Sequence, residues 1–351
     1  MDTIVFPAEW YPQSAVQLTW PHEDTDWLPI LDEVVACFVA IAWEVMKRET
    51  ALIVCADEEK VRAQLGAVDG RRVIFRQMAT DDTWARDHGG ITVLKNDMPK
   101  ICDFVFNGWG MKYPAGRDNL ITERLFRMHT FAPEVERIDM TPFVLEGGSI
   151  ESDGRGTLLT TTKCLCSAGR NDGMNRTQIE AALKSFSGAK RILWLENGHL
   201  AGDDTDGHID TLARFCDADT IAYVQCTDTA DEHFRELRAM EEELQSFRTA
   251  EGKPYRLIPL PMADRIVREG ERLPATYANF LILNGAVLLP FYGSAKDRQA
   301  QAVLQQAFPD RQVTGIDCTP LIKQHGSLHC VTMQFPKGVT DNWKFDKMDE
   351  I

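Results

Sequence analysis

The order in which strand and helix signals recur constrains this chain more than any other feature. Paired apolar, β-branched runs are followed by an amphipathic stretch at helical spacing, then by one further apolar run. Residues 91–94 and 101–106 read as a hairpin, 119–128 as a helix and 135–139 as a short strand. The pattern returns at 143–151 and 157–162, joined by the turn pair Asp153-Gly154, with a helix over 174–186 and a strand over 191–195. It returns again as strands 208–215 and 220–225, helix 231–247 and strand 255–260. A last copy runs through strands 277–283 and 286–291 across Asn284-Gly285, helix 294–308 and strand 312–317.

The start of the chain holds an incomplete copy. Residues 15–20 read as a strand, and Asp26 and Pro29 are helix-start signals. Leu31, Val34, Val35, Phe38, Ile41, Ala42 and Val45 follow at helical spacing, and 51–56 is again a strand. One hairpin strand is missing here, and one strand, 327–334, is left over at the other end. Pairing 327–334 with 15–20 completes five hairpin–helix–strand units and closes a ring through the two ends of the chain. Each unit alone would expose an apolar sheet face, so the units must pack around a common axis. The expectation is an α/β fold, a five-bladed pseudo-symmetric propeller, forming a single catalytic domain over residues 1–351.

Other classes fit poorly. A net charge of −15 argues against nucleic acid and anionic membrane surfaces as partners and is compatible with a small cationic substrate. No apolar run reaches the roughly 18 residues of a membrane helix, and no secretory leader is visible, so a cytoplasmic location is expected. The nine cysteines show no zinc-ligand pairing; Cys164-x-Cys166 is too tight and has no second pair.

Polar residues recur at equivalent places in the units. Asp87 precedes the hairpin of the second unit, Glu146 lies in the third, His208 and Asp210 open the fourth, and Asn279 opens the fifth. His329-Cys330 lies in the strand that completes the first. In an extended strand His208 and Asp210 would share one face. Rotation about an axis would bring all of these to one pocket. Cys330 is then a candidate nucleophile, with His208 as its base or, protonated, as the partner of its thiolate. Asp87 and Asp210 suit a planar cation with several N–H donors, such as a guanidinium, and Trp84 could stack on it. Each residue also has a structural reading. Cys330 and Trp84 would serve as core, Asp87 as a partner of Arg86 or a turn cap, and Asp210 as an ion-pair member. Glu146 would be a buried acid and Asn279 a strand-end amide.

Several short segments together resemble the agmatine deiminase and bacterial peptidylarginine deiminase family. They are Phe6-Pro7-Ala8-Glu9-Trp10, Leu18-Thr19-Trp20-Pro21-His22, Asp82-Thr83-Trp84-Ala85-Arg86-Asp87 and Phe106-Asn107-Gly108-Trp109-Gly110. Further along come Leu145-Glu146-Gly147-Gly148-Ser149, the run from Gly202 to Asp210, Tyr277-Ala278-Asn279-Phe280 and His329-Cys330. The resemblance spans nearly the whole chain and implies the pentein propeller fold, with no metal or organic cofactor. It implies Cys330 as nucleophile, His208 as general acid/base, and Asp87 and Asp210 as guanidinium-binding carboxylates. Trp84, Glu146 and Asn279 fall in or around the pocket, and Trp109 is placed with them as substrate-binding.

The expected reaction converts agmatine to N-carbamoylputrescine and ammonia, a step of putrescine and polyamine biosynthesis, through an amidino adduct on Cys330. The acidic Asp203, Asp204 and Asp206 would receive the far cation of agmatine, and residues 201–205 would close over the site. Peptidylarginine deimination is the alternative, with Arg117 or Arg170 available to a carboxylate. A metallohydrolase using His208, Asp210, Asp87 and Glu146, and a propeller that only binds a partner, are more distant readings. A homo-oligomer is compatible with all of them. The sequence departs from many family members at His88-Gly89-Gly90, at His325-Gly326-Ser327-Leu328 and in a shorter 109–119 segment, which places the differences near the substrate entrance.

Overall fold

The computed structural model describes residues 2–340. It contains five mixed sheets of three or four strands and one two-stranded ribbon, Val267–Arg268 with Glu271–Arg272. In the first sheet Gln13–Thr19 pairs antiparallel with Thr332–Pro336 and parallel with Thr50–Cys55. Leu18 faces Thr332 and Ala15 faces Phe335, so the two ends of the chain complete one sheet, as the unit count requires. The second sheet orders Ile4–Val5, Ile91–Lys95, Met98–Val105 and Glu136–Val144. The third joins Ile150–Ser152, Thr157–Thr161 and Arg191–Leu195; the fourth, Ala213–Asp217, Thr220–Gln225 and Arg256–Pro261. The fifth joins Leu281–Leu283, Ala286–Phe291 and Gln312–Asp317.

The helices between these strands form for local reasons. Leu31–Met46 carries Asp32 and Glu33 in its first turn, where they favour the positive end of the helix dipole. It buries Val34, Phe38, Ile41 and Val45 on one stripe. Arg176–Ser187 starts with a reciprocal cap between Asn175 and Gln178. It stops at Gly188, whose φ is +70° and whose missing Cβ would lie 2.0 Å from the Ile4 carbonyl oxygen. Only glycine meets both demands. Phe234–Ser246 and Lys296–Ala307 serve the fourth and fifth units.

Three expectations change. Residues 135–139 and the first part of 143–151 form one long strand, Glu136–Val144, and the third hairpin begins only at Ile150. Pro142 reads as a break in the sequence. Here it lies on a sheet edge, where a missing N–H loses no ladder bond. The helix Glu58–Leu65 and strand Val73–Gln77 extend the first unit beyond the repeat. Most important for function, the hairpins of the last units start late, at Ala213, Leu281 and Thr332. His208 and Asp210 therefore do not alternate along a strand. Ile209–Thr211 is a 3-10 turn, closed by Thr211 Oγ1 and Leu212 N donating to the carbonyls of His208 and Ile209 at 2.8 and 3.0 Å.

Short turns of this kind precede the first strand in other units as well. Ala85–His88 precedes Ile91, and Gly147–Ser149 precedes Ile150. The turn Ala85–His88 packs on Gly147–Ser149, and Gly147–Ser149 packs on Ile209–Thr211. Asp87, Glu146, His208 and Asp210 sit on or beside these turns, and Asn279, His329 and Cys330 on or beside the turns that precede Leu281 and Thr332.

The fifth hairpin is tied to the first sheet by Asn284. Its Oδ1 accepts from Gln13 N at 3.1 Å, and its Nδ2 donates to Gln13 O at 2.9 Å and to Glu49 Oε2 at 3.0 Å. Asn284→Ala should lower the unfolding free energy by about 2–3 kcal/mol, because three partly buried hydrogen bonds are lost and Gln13 and Glu49 lose partners. Urea unfolding midpoints check this; an unchanged midpoint would contradict it.

Candidate active site

A cavity with an empty volume of about 450 Å³ opens where the turns meet. Asp26, Asp82, Trp84, Asp87, Trp109, Tyr113, Asp204, Thr205, Gln324, His325, Gly326 and Cys330 line it. Five predicted site residues, Cys330, Asp87, Trp84, Trp109 and, from the acidic loop, Asp204, thus line one cavity.

The aromatic side of the cavity is built on Asp82. Its two oxygens accept from Trp27 Nε1 and Trp84 Nε1, each at 2.9 Å. The Trp84 ring lies 5.6 Å from Trp27 and 6.3 Å from Trp109, centroid to centroid. Gly326 lets the 324–330 segment lie on Trp84, since a Cβ there would sit 2.1 Å from the indole. Trp109 arrives differently. Residues 108–111 all have positive φ, Trp109 and Met111 included, so the chain makes a short left-handed turn. Such a backbone is costly for side chains other than glycine and persists only where its surroundings enforce it. Here it brings Trp109 Nε1 to Asp87 Oδ2 at 3.0 Å.

Asp87 is buried, with Oδ1 accepting from Gly148 N at 3.1 Å. Burial first, and then the charges of Asp210 and Glu146, push its carboxyl up to about 6, with His208 pulling the other way. His208 Nδ1 lies 3.6 Å from Asp87 Oδ1, and Nε2 lies 4.0 Å from Glu146 Oε2. Burial opposes charge on this ring. Asp87, Glu146 and the neighbouring Cys164 outweigh it and hold the imidazolium well above its usual range.

Gly148 shows how closely these groups converge. A Cβ on it would stand 2.6 Å from His208 Nδ1, 2.8 Å from Asp87 Oδ1 and 3.1 Å from Asp210 Oδ2. Asp210 is fully buried. Its Oδ2 lies 2.7 Å from His329 Nδ1, and its Oδ1 has no hydrogen-bond partner. Burial works against ionisation here too, but His329 holds the carboxyl below its usual range.

Cys330 is 4% exposed, and its Sγ lies 3.4 Å from Asn279 Oδ1. Burial, followed by the charges of Asp210 and Asp87, drives its thiol well up. The surroundings thus oppose ionisation of the Cys330 thiol and favour protonation of the His208 ring beside the two buried carboxyls.

Other predicted positions have different surroundings. Glu146, like His208 and Asp210, lies behind the cavity lining rather than in it; both Glu146 oxygens lie 3.0 Å from Arg170 Nε. Arg170 also donates to Asp206 Oδ2 at 2.6 Å, to Ser167 Oγ at 2.5 Å and to Thr205 O at 2.8 Å. Asp206 is thereby held between Arg170 and Lys112, away from the cavity, which corrects its assignment to substrate. Asn279 faces the protein as well. Its Oδ1 accepts from the backbone of His329 and Cys330, and its Nδ2 donates to Asp210 O. Asp203 caps its own loop through Thr205 and Gly207. His88 is buried against Phe106 and does not line the cavity, so this departure is not at the entrance, whereas His325 is. Glu9, His329 and Tyr113 were not singled out by chemistry, although Glu9 and His329 lie inside the segments that carry the resemblance.

Comparison with known proteins places this geometry. A family model for Porphyromonas-type peptidyl-arginine deiminase matches residues 5–336. The agmatine deiminase of Stutzerimonas stutzeri (strain A1501) is 32% identical over 359 residues, covering 95% of this chain and 96% of that one. The crystal structure of a candidate arginine deiminase from Porphyromonas gingivalis aligns with TM-score 0.93 at 55% identity, covering 96% of this chain and 100% of that chain. A cysteine-to-serine variant of C. jejuni agmatine deiminase with substrate bound aligns with TM-score 0.89 at 37% identity, covering 96% and 97%. The α/β fold described above is shared with these structures.

Gly148→Ala tests the convergence. The added methyl must displace His208, Asp87 or Asp210, so turnover of the substrate should fall by about 100-fold or more, as expected when reacting groups shift by a fraction of an ångström. Circular dichroism and kcat/KM measured together check this; a folded, fully active variant would refute the packing.

Proposed function

The chain belongs to the Porphyromonas-type peptidyl-arginine deiminase family, and on that premise we propose that it hydrolyses agmatine to N-carbamoylputrescine and ammonia through Cys330. It is a hydrolase of the guanidino-modifying kind, acting on a C–N bond. The observation that carries the choice of agmatine is the charge around the cavity. Asp26, Asp82, Asp87 and Asp204 line it, and among the described residues no lysine or arginine does. Arg170 is held by Glu146, Asp206, Ser167 and Thr205 O, and Arg117 lies by Asp81 at the surface. A carboxylate on free arginine or a peptide C-terminus finds no cation there. The terminal ammonium of agmatine meets Asp204, with Tyr113 donating to that carboxylate at 2.9 Å.

The proposed chemistry starts from the charge state of the empty site. A guanidinium between Asp87 and Asp210 offsets the two charges that keep the Cys330 thiol protonated, so substrate binding lowers the thiol's pKa. The thiol proton passes to solvent and the thiolate adds to the guanidinium carbon. The His208 imidazolium gives its proton to the departing nitrogen, and ammonia leaves as the C–N bond breaks. Neutral His208 then takes a proton from water as the water's oxygen adds to the amidino-thioether carbon. The C–S bond breaks as the adduct's hydroxyl proton passes to the departing sulfur, releasing the ureido product and regenerating the Cys330 thiol. The two tryptophans exclude water and can stack on the planar cation.

The five sheets are read as five blades about one axis, with the turns at the axis and residues 201–205 as the closing segment. The catalytic unit is taken to be one cytoplasmic domain. No helix among the described residues is long and apolar enough to cross a membrane. A metallohydrolase reading leaves Cys330 without a task and requires a Glu146 already bonded through both oxygens to Arg170.

Ammonia release from agmatine, arginine and a C-terminal-arginine peptide tests the reading. Agmatine should be preferred by about 100-fold or more in kcat/KM, matching loss of a charged contact for the others; faster turnover of the peptide would overturn it. Cys330→Ala should abolish turnover and adduct formation in mass spectra of quenched enzyme. The raised Asp87 carboxyl binds substrate only when ionised, so kcat/KM should decline as pH falls through about 6.

A further inference from the structure

His329 has a carboxylate on each ring nitrogen. Nδ1 is 2.7 Å from Asp210 Oδ2, and Nε2 is 2.7 Å from Glu9 Oε2. The ring is 2% exposed. A neutral imidazole has one N–H and one lone pair. It can donate to one carboxylate only, and its lone pair would then face the other at hydrogen-bond distance. Two contacts this short require a proton in each.

Glu9 is fixed as an anion from several sides. Arg214 Nη2 lies 2.7 Å from its Oε2, Ile282 N donates to its Oε1 at 2.7 Å, and Arg86 stands 3.8 Å away. The Glu9 carboxyl is held well below its usual range by Arg214, His329 and Arg86 against the effect of burial. Burial first, then Arg214 and Arg86, pull the ring's pKa below its usual value against Glu9 and Asp210; it is the two 2.7 Å contacts, each needing a proton between nitrogen and carboxylate, that place a proton on both nitrogens. Asp210 itself also faces His208 and Cys330.

The backbone of His329 is pinned too, its N donating to Asn279 Oδ1 at 2.9 Å. That bond fixes the backbone from which the ring projects, and the two carboxylates fix the ring itself. The consequence falls on Asp210. Its Oδ2 is taken by His329, and its Oδ1, like Glu49 Oε1, is a buried carboxylate oxygen without a hydrogen-bond partner among the described residues.

We propose that His329 is a positioning residue for the reaction: donating to Asp210 and Glu9 together, it locks the Asp210 carboxylate so that Oδ1 alone receives the substrate guanidinium. Glu9, far from the cavity in sequence and absent from its lining, thereby acts on substrate binding through His329. The inference rests on the guanidine-hydrolase reading of the same site.

Glu9→Gln tests it without touching the substrate-binding groups. Removing the Glu9 charge takes away an anion that favours the protonated ring, leaving His329 neutral with its one N–H on Asp210. Asp210 then loses a charged neighbour and becomes more basic. The Asp210 carboxyl, followed by carbon-13 NMR of labelled protein, should titrate at least about half a pH unit higher than in wild type, below the limb that Asp87 sets in the kcat/KM profile. His329→Phe keeps the ring and removes both donors. KM should rise about 30-fold or more while kcat falls less, and His329→Gln, which can still donate to Asp210, should recover part of the loss. Equal Asp210 titrations in wild type and folded Glu9→Gln, with KM of His329→Phe within about threefold of wild type, would overturn the proposal. If Glu9→Gln does not fold, the KM comparison of the two His329 variants decides alone. If wild-type protein releases no ammonia from agmatine, or Cys330→Ala remains active, the functional reading has failed rather than the role of His329.

Discussion

The rest of the active-site structure depends on one buried ionic array, Asp210–His329–Glu9–Arg214–Glu151. Arg214 is fully buried; it bonds Glu151 through Nε, Glu9 through Nη2 and the Phe280 carbonyl through Nη1. Removing such charges from water costs several kcal/mol for each ion unless each is paired and its remaining hydrogen-bonding groups are satisfied. That requirement acts as a geometric constraint. The array has five members drawn from the N-terminal segment, two middle units and the C-terminal segment, and a displaced member leaves an uncompensated charge in the interior. Asp210 and Cys330 are held in place because His329 and Asn279 belong to, or touch, this array.

Electrostatics then divides the site by function. Behind the cavity, positive and negative groups alternate and offset one another. At the cavity wall, the acids Asp26, Asp82, Asp87 and Asp204 have no lysine or arginine beside them in the lining, and burial raises the Asp82 and Asp87 carboxyls to about 6. On the proposed mechanism, a cation held by this wall offsets the charges that oppose ionisation of Cys330, so thiol activation would accompany substrate recognition.

Much of this was legible in the residues. Cys330, His208, Asp87 and Asp210 stand out because their chemistry is scarce and their placement follows the repeat, and the structure brings Asp87, His208 and Asp210 around Gly148. The pairing of 15–20 with 327–334 follows from counting strands. What misled was local form. His208 and Asp210 look like alternating strand residues, yet a 3-10 turn presents them, because the polar backbone of the turn is satisfied by Thr211 and by Ile209–Leu212 bonding. Asp206 looked like a ligand for a cation and is one, but the cation is Arg170 of the same protein.

By itself, then, the sequence determined the repeat, the closure of the first unit by the chain ends, and the set of reactive side chains. Periodicity and residue chemistry are local properties, and they survive translation into structure. Only the tertiary structure decided which acids face the cavity and which are neutralised within the protein. It alone revealed that Glu9 reaches Asp210 through His329. An acid's role depends on the nearest opposite charge, and for Glu9, Glu146 and Asp206 that charge comes from residues 24 to 320 positions away in the chain. Distances of that kind are set by packing, and no spacing along the sequence encodes them.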